Sequence, residues 1–219
     1  QFLVLTMSVW CSFGFAQNGE QDLAPFGVRI FVEPGEGVST DIADRVEGKL
    51  EQIGTKKGYV SLKNSRFVML SKLNLIETEV TPTAPPMHAL VVELSVIIGD
   101  GINGNMYSSC SFNLKGVGKS KEKALLSALK GIRANNRQLE EALQRAEKDV
   151  IKYYENNCDA VMKKATALAG QGKFNQAISH LSGVPSIAPI CYGTANSEIV
   201  KVYRRKMLRE CNSNLSKAK

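Results

Sequence analysis

Apolar and polar positions alternate in one rhythm through the first part of this chain and in another through the rest. In "FGVRIFVEP", Val28, Ile30 and Val32 fall on one face, the period of a half-buried strand. "STDIADRVEGKLEQIG" changes to helical spacing, with Ile42, Val46, Leu50 and Ile53 on one face and Ser39 or Thr40 as N-cap. "RFVMLS" reads as a second strand. "KLNLIETEVTPTAPP" reads as a loop that opens with a short helix and closes in a proline-rich bend. "HALVVELSVIIGDG" and "NMYSSCSFNLKG" form the clearest strand pair. Leu90, Val92, Leu94, Val96 and Ile98 share one face, Met106, Ser108, Cys110, Phe112 and Leu114 its partner's, and "GDGINGN" supplies the tight connection. A helix follows from about Ser120, with Leu125, Ala128, Leu129 and Ile132 inward. The order predicts an α+β unit over residues 27–133, a small mixed sheet with helices on one face.

Beyond "RANN" the pattern is helical throughout, and a second, all-α unit is expected over residues 137–216. Leu139, Leu143, Ala146, Val150, Tyr153, Val161, Ala165 and Leu168 recur near a 3.5-residue spacing over Arg137 to Ala169. Unbroken, that helix would span about 50 Å; a break at Asn156-Asn157 is the alternative. "GQGKFNQAISHLSGVPSIAP" turns the chain into a second helix, and "SEIVKVYRRKMLRECNSNL" makes a third, with Val200, Tyr203, Met207 and Cys211 expected inward.

Two resemblances bear on these units. The first resembles the periplasmic module of the TolB amino-terminal domain, CsgG and LpoB. The residues that carry it are "VRIFVEP", "DIADRVEGKLEQI", "RFVMLSKLNLIETE" taken as one strand, and "FNLKGVGKSKEKALLSALKGI". Lys72 stands where an arginine often follows the second strand. The resemblance implies a non-enzymatic part of an envelope assembly that works by contacting proteins. The second unit is similar to a tetratricopeptide-type repeat in "ATALAGQGKFNQAISHLSGVP", where Ala177 lets two helices approach, Phe174 fills the gap near their turn and Pro185 follows. A plain three-helix bundle is the alternative. Protein-interaction candidates are placed around Phe174 and Tyr192 and on the basic C-terminal helix.

Composition adds location. "QFLVLTMSVWCSFGFAQ" carries no charge and ends in Gly14-Phe15-Ala16, so residues 1–16 read as most of a secretory signal peptide cleaved before Gln17, with a flexible lead-in over 17–26. A buried amino-terminal strand or helix is the other reading. Val-Trp before Cys11 argues against a lipid anchor. The expected location is periplasmic or otherwise exported. Cys110, Cys158, Cys191 and Cys211 then allow three disulfide pairings. Cys158 on the first helix and Cys191 near the start of the third would lie on neighbouring helices, which favours that pair. Cys110 and Cys211 are expected to be buried thiols, a link between them being the alternative.

The stretch "GVGKS" invites a phosphate-loop reading and does not sustain it. Gly118-Lys119-Ser120 gives the end of that motif, but its first glycine position is Asn113, inside a strand. A tight turn remains, with Gly116 and Gly118 supplying unusual backbone angles and Ser120 capping the helix. His88 and His180 read as surface histidines, the cysteines lack zinc spacing, and no carboxylate pair has acid–base spacing. No catalytic residue, cofactor or metal is assigned. The net charge of +7 is concentrated in the last helix. Lys201, Arg204, Arg205 and Arg209 are candidates for contact with anionic lipid, lipopolysaccharide or another polyanion, nucleic acid being disfavoured by export. The expectation is an exported, non-enzymatic binding or assembly component whose partners are envelope proteins. The alternatives are a polyanion-binding protein and an enzyme whose site is assembled from distant residues.

Overall fold

The computed structural model describes residues 27–59 and 65–217; the expected signal peptide and lead-in lie outside them. Four strands form one mixed sheet in the order β1-β2-β3-β4. β1 (Val28–Pro34) runs parallel to β2 (Phe67–Thr81), with α1 (Thr40–Lys56) between them in sequence. β3 (Met87–Asp100) and β4 (Met106–Gly118) complete it antiparallel. Pairing register lines up the apolar sets in rows such as Ile30, Met69, Ile98 and Ser108, or Leu73, Leu94 and Phe112. One face of the sheet is therefore core. Against it pack α1, beside β1, then α2 (Lys121–Ala128) and the first half of α3 (Arg137–Gly170), beside β3 and β4. This is the expected α+β architecture with helices on one face.

The second strand is longer than its apolar pattern suggested. The segment expected to be a loop is the outer half of β2, where Thr78, Glu79 and Val80 pair with Leu90, Ala89 and His88 beyond a bulge at Leu75/Glu77. Glu77 to Val80 are exposed. None of the described helices covers this ribbon, so cross-strand hydrogen bonds hold it and the period-2 burial signal is missing.

Gly116 and Gly118 also act differently from expectation. Neither has a positive φ; both lie within β4. A Cβ on Gly116 would overlap the Ala124 carbonyl oxygen, and one on Gly118 the Ala124 amide nitrogen. The glycines let the backbone of α2 rest on the strand. Ser120 caps α2 as expected, its Oγ accepting from the Lys123 N–H at 3.2 Å.

α3 is unbroken over 34 residues. It is held at its start by the Asn136 side chain, which accepts from the Leu139 N–H at 3.0 Å. Its inward aromatic is Tyr154, fully buried, rather than the half-buried Tyr153. α4 (Phe174–Ser182) folds back on α3 through a turn with Gly172 at φ +78°, and Ala165, Ala169 and Ala177 form the close seam. α5 runs from Pro189 to Lys217. The Cys158–Cys191 disulfide is present, Cα–Cα 5.5 Å, and ties α3 to α5. Cys110 and Cys211 are free. Cys110 is half-buried as a packed thiol should be, but Cys211 is exposed, against expectation.

α5 is rotated relative to the sequence reading. Its buried residues are Cys191, Ala195 and Val202; Val200 is 51% exposed and Met207 46%, with Tyr203 and Cys211 also on the surface. The cause is the disulfide. Cys191 and Val200 are nine residues apart, about half a turn out of phase at 100° per residue. Fixing Cys191 inward turns the larger apolar stripe outward. A single buried cluster runs from Val28 in the sheet to Val202 in α5.

Candidate functional site

The sheet meets the helical hairpin at a buried ion pair. Arg66 and Asp100 close the base of the β2–β3 pairing, next to the tight β3–β4 connection. Arg66 donates to Asp100 Oδ2 from Nε at 2.9 Å and from its terminal nitrogen at 2.8 Å. Asp100 Oδ1 accepts the Ile102 and Asn103 N–H groups at 2.9 and 3.1 Å. The Asp100 side chain is fully buried and that of Arg66 is 12% exposed. Burial alone would depress the Arg66 pKa; the hydrogen-bonded Asp100 carboxylate outweighs it and keeps the guanidinium above its usual value. Arg66 also lies 5.7 Å from the centre of the Tyr154 ring, and Tyr154 donates to the Gly183 carbonyl at 3.2 Å. One arginine thus joins strand, hairpin turn and the end of α4.

Beside this junction opens a cleft of about 600 Å³. Arg29, Phe31 and Val68 form its floor, Ile102 one edge, and the segment from Ser182 to Ser186 the opposite wall. The floor belongs to the sheet face that none of the described helices covers. Across it, pairing aligns Phe31, Leu70 and Ile97 in one row. Leu70 is 49% exposed and its two neighbours are only slightly less so. The Arg29 guanidinium stands 4.2 Å over the Phe31 ring. The apolar row runs through Phe31 into a cleft of mixed polarity that holds Arg29 in its floor.

The structure does not bring the sequence-derived candidates together. Phe174 begins α4, half-buried, with Arg209 5.9 Å over its ring. Tyr192 lies near the start of α5, about 25 Å along the helix from Arg209. The two aromatics therefore do not share a surface. Lys201, Arg204, Arg205 and Arg209 are all exposed on α5, Lys201 bonding Glu198 at 3.0 Å. The uncovered sheet face went unread in the sequence. Its signal was available: Phe31, Leu70 and Ile97 are apolar at the out-facing positions of strands whose other face is already apolar.

Two titratable side chains lie next to the cleft. His180, beside it, is half-buried rather than on the surface, hydrogen-bonded to the Val161 carbonyl, and its Nε2 has no partner among the described residues. Burial, then the nearby Lys164 and Arg66 charges, lower its pKa and favour the neutral ring. The hydroxyl pKa of half-buried Tyr107 is pushed up to about 12, by burial first and then by the Asp100 charge. Among the described residues no His, Cys, Asp and Glu group could hold a metal ion, and no helix is long and apolar enough to cross a membrane.

No family model matches the chain, and no curated protein does. Among solved structures it is similar to lipoprotein GNA1162 from Neisseria meningitidis, at 12% identity and a TM-score of 0.35, over 49% of this chain and 94% of that one. A minor lipoprotein from Acinetobacter baumannii aligns at 12% identity and TM-score 0.35 over 57% and 94%. The PelC dodecamer from Paraburkholderia phytofirmans aligns at 18% and 0.34 over 51% and 88%. Superpositions this loose carry no functional argument.

Proposed function

We propose that this chain is a non-catalytic, exported component of a bacterial cell envelope that binds an extended protein segment on its uncovered sheet face. The observation that carries the reading is the Phe31–Leu70–Ile97 row, apolar, exposed and continuous with the cleft. A sheet face in water is ordinarily polar, so an apolar strip there marks an interaction site. Arg29 in the cleft floor, with Lys164 lining the neighbouring cleft that shares Arg66 and Ile102, selects a segment with acidic flanks. Export is supported by the uncharged, small-residue-terminated stretch at 1–16 and by the disulfide, which persists in oxidising compartments. The resemblances to the TolB amino-terminal module, CsgG and LpoB and to a tetratricopeptide-type hairpin point the same way, towards protein contact.

The test is cross-linking in the native cell followed by mass spectrometry, with wild type and Leu70→Glu compared at equal abundance. An envelope protein recovered with wild type and lost with Leu70→Glu supports the reading. Equal recovery from both, or turnover of a substrate abolished by one side-chain change, overturns it.

A further inference from the structure

A second surface stands apart from the sheet. With Cys191, Ala195 and Val202 turned inward, the opposite side of α5 carries Val200, Tyr203, Met207, Leu208 and Leu215, all exposed. At 100° per residue these five fall within a sector of about 140°. Arg204 lies inside that sector, Lys201 about 20° and Arg205 about 60° outside one edge, and Glu210 about 20° outside the other, all four exposed. Every residue from Met207 to Lys217 is exposed. The last visible anchor is Arg209 over the Phe174 ring, and the eight residues beyond it extend about 12 Å.

We infer that α5 lies on the surface of an anionic phospholipid bilayer, its apolar sector in the headgroup boundary and Arg204 and Arg205 on the lipid phosphates. Charge complementarity selects this occupant. The acids of this stretch, Glu198 and Glu210, are each paired with a lysine of the same helix, at 3.0 and 3.8 Å. Arg204 and Arg205 have no ion pair among the described residues. A second copy would set this cationic sector against itself. An interleaved apolar and basic surface suits a bilayer, because arginine stems lie along the apolar zone while their heads reach the phosphates. Tyr203, at the edge of the sector, has the apolar ring and polar tip that such a boundary favours.

The experiment is co-sedimentation of the full chain with vesicles of phosphatidylcholine alone or mixed equally with phosphatidylglycerol, across a salt series. Binding is expected to the anionic vesicles and to weaken as salt rises. Arg204→Ala with Arg205→Ala should weaken it about thirty-fold. Met207→Ser with Leu208→Ser, which leaves the charge unchanged, should weaken it at least about ten-fold. Residues 1–16 are the same in every variant, so their contribution cancels in the comparison. Leu70→Glu should bind vesicles like wild type, which keeps this test separate from that of the sheet face. Equal binding of the Met207→Ser, Leu208→Ser variant would overturn the inference in favour of a charge-only polyanion site. Absence of binding to anionic vesicles at low salt would overturn it outright, as would an acidic protein that displaces the vesicles from α5.

Discussion

Replacing Asp100 by alanine tests the junction that holds the cleft open. The carboxylate receives four donors, two from Arg66 and two from the backbone of the β3–β4 turn, all between 2.8 and 3.1 Å. Asp100→Ala removes the acceptor for each and leaves Arg66 charged in a site that water barely reaches. Removing one partner of a buried ion pair costs about 3–5 kcal/mol, because the other charge is stranded. For a chain of this size that corresponds to a fall in Tm of about 6–20 °C. The assay is chemical denaturation of wild type, Asp100→Ala, Arg66→Ala and the double variant, with amide exchange followed at Ile102 and Asn103. The double variant should be less destabilised than the sum of the singles, by about 0.5–3 kcal/mol of coupling. Both turn amides should exchange faster when Asp100 is absent. A loss under about 1 kcal/mol for Asp100→Ala, or additive single effects, would refute the assignment of this pair as the pin between sheet and hairpin.

Three further outcomes follow from other parts of the fold. Gly116→Ala should destabilise by at least about 1–3 kcal/mol, read from thermal melts, because its Cβ has to displace the backbone of α2. Breaking the Cys158–Cys191 bond, by Cys158→Ala with Cys191→Ala, frees a closed loop of 33 residues and should cost about 3–4 kcal/mol in denaturant titration. His180 takes up its proton more readily in the unfolded chain, since its folded pKa is lowered. Its contribution to stability is therefore complete above about pH 6.5 and declines as pH falls from there toward the folded pKa. His180→Asn, which keeps a donor for the Val161 carbonyl, should flatten that decline in melts between pH 7 and 5.

Much of the sheet was legible because the inward positions of its strands are apolar at every second residue: Leu90, Val92, Leu94, Val96 and Ile98, like the helical stripe of Ile42, Val46, Leu50 and Ile53, are buried as their periods require. The Cys158–Cys191 pair was legible as well, since a helical hairpin puts those two helices side by side. Where elements face water, the period is silent. The outer half of β2 mixes Glu77 and Glu79 with Val80 and shows neither rhythm. Tyr153 and Tyr154 are adjacent, and only the register of α3 on Phe67 and Gly183 decides which is buried. In α5 the stronger apolar stripe misled, although Cys191 lies half a turn away from Val200. Placing the disulfide inward would have fixed the rotation of that helix. Arg66 and Asp100, 34 residues apart, meet only when β2 and β3 pair, so the junction and its cleft could be read only from the fold.

Placing a photo-reactive side chain at Leu70, on the uncovered face, and separately at Asp44, exposed on α1, measures the central claim most directly. In the native cell the Leu70 probe is predicted to yield one discrete adduct with an envelope protein and the Asp44 probe none. Matching adduct patterns at the two positions, or no adduct at Leu70, would contradict it.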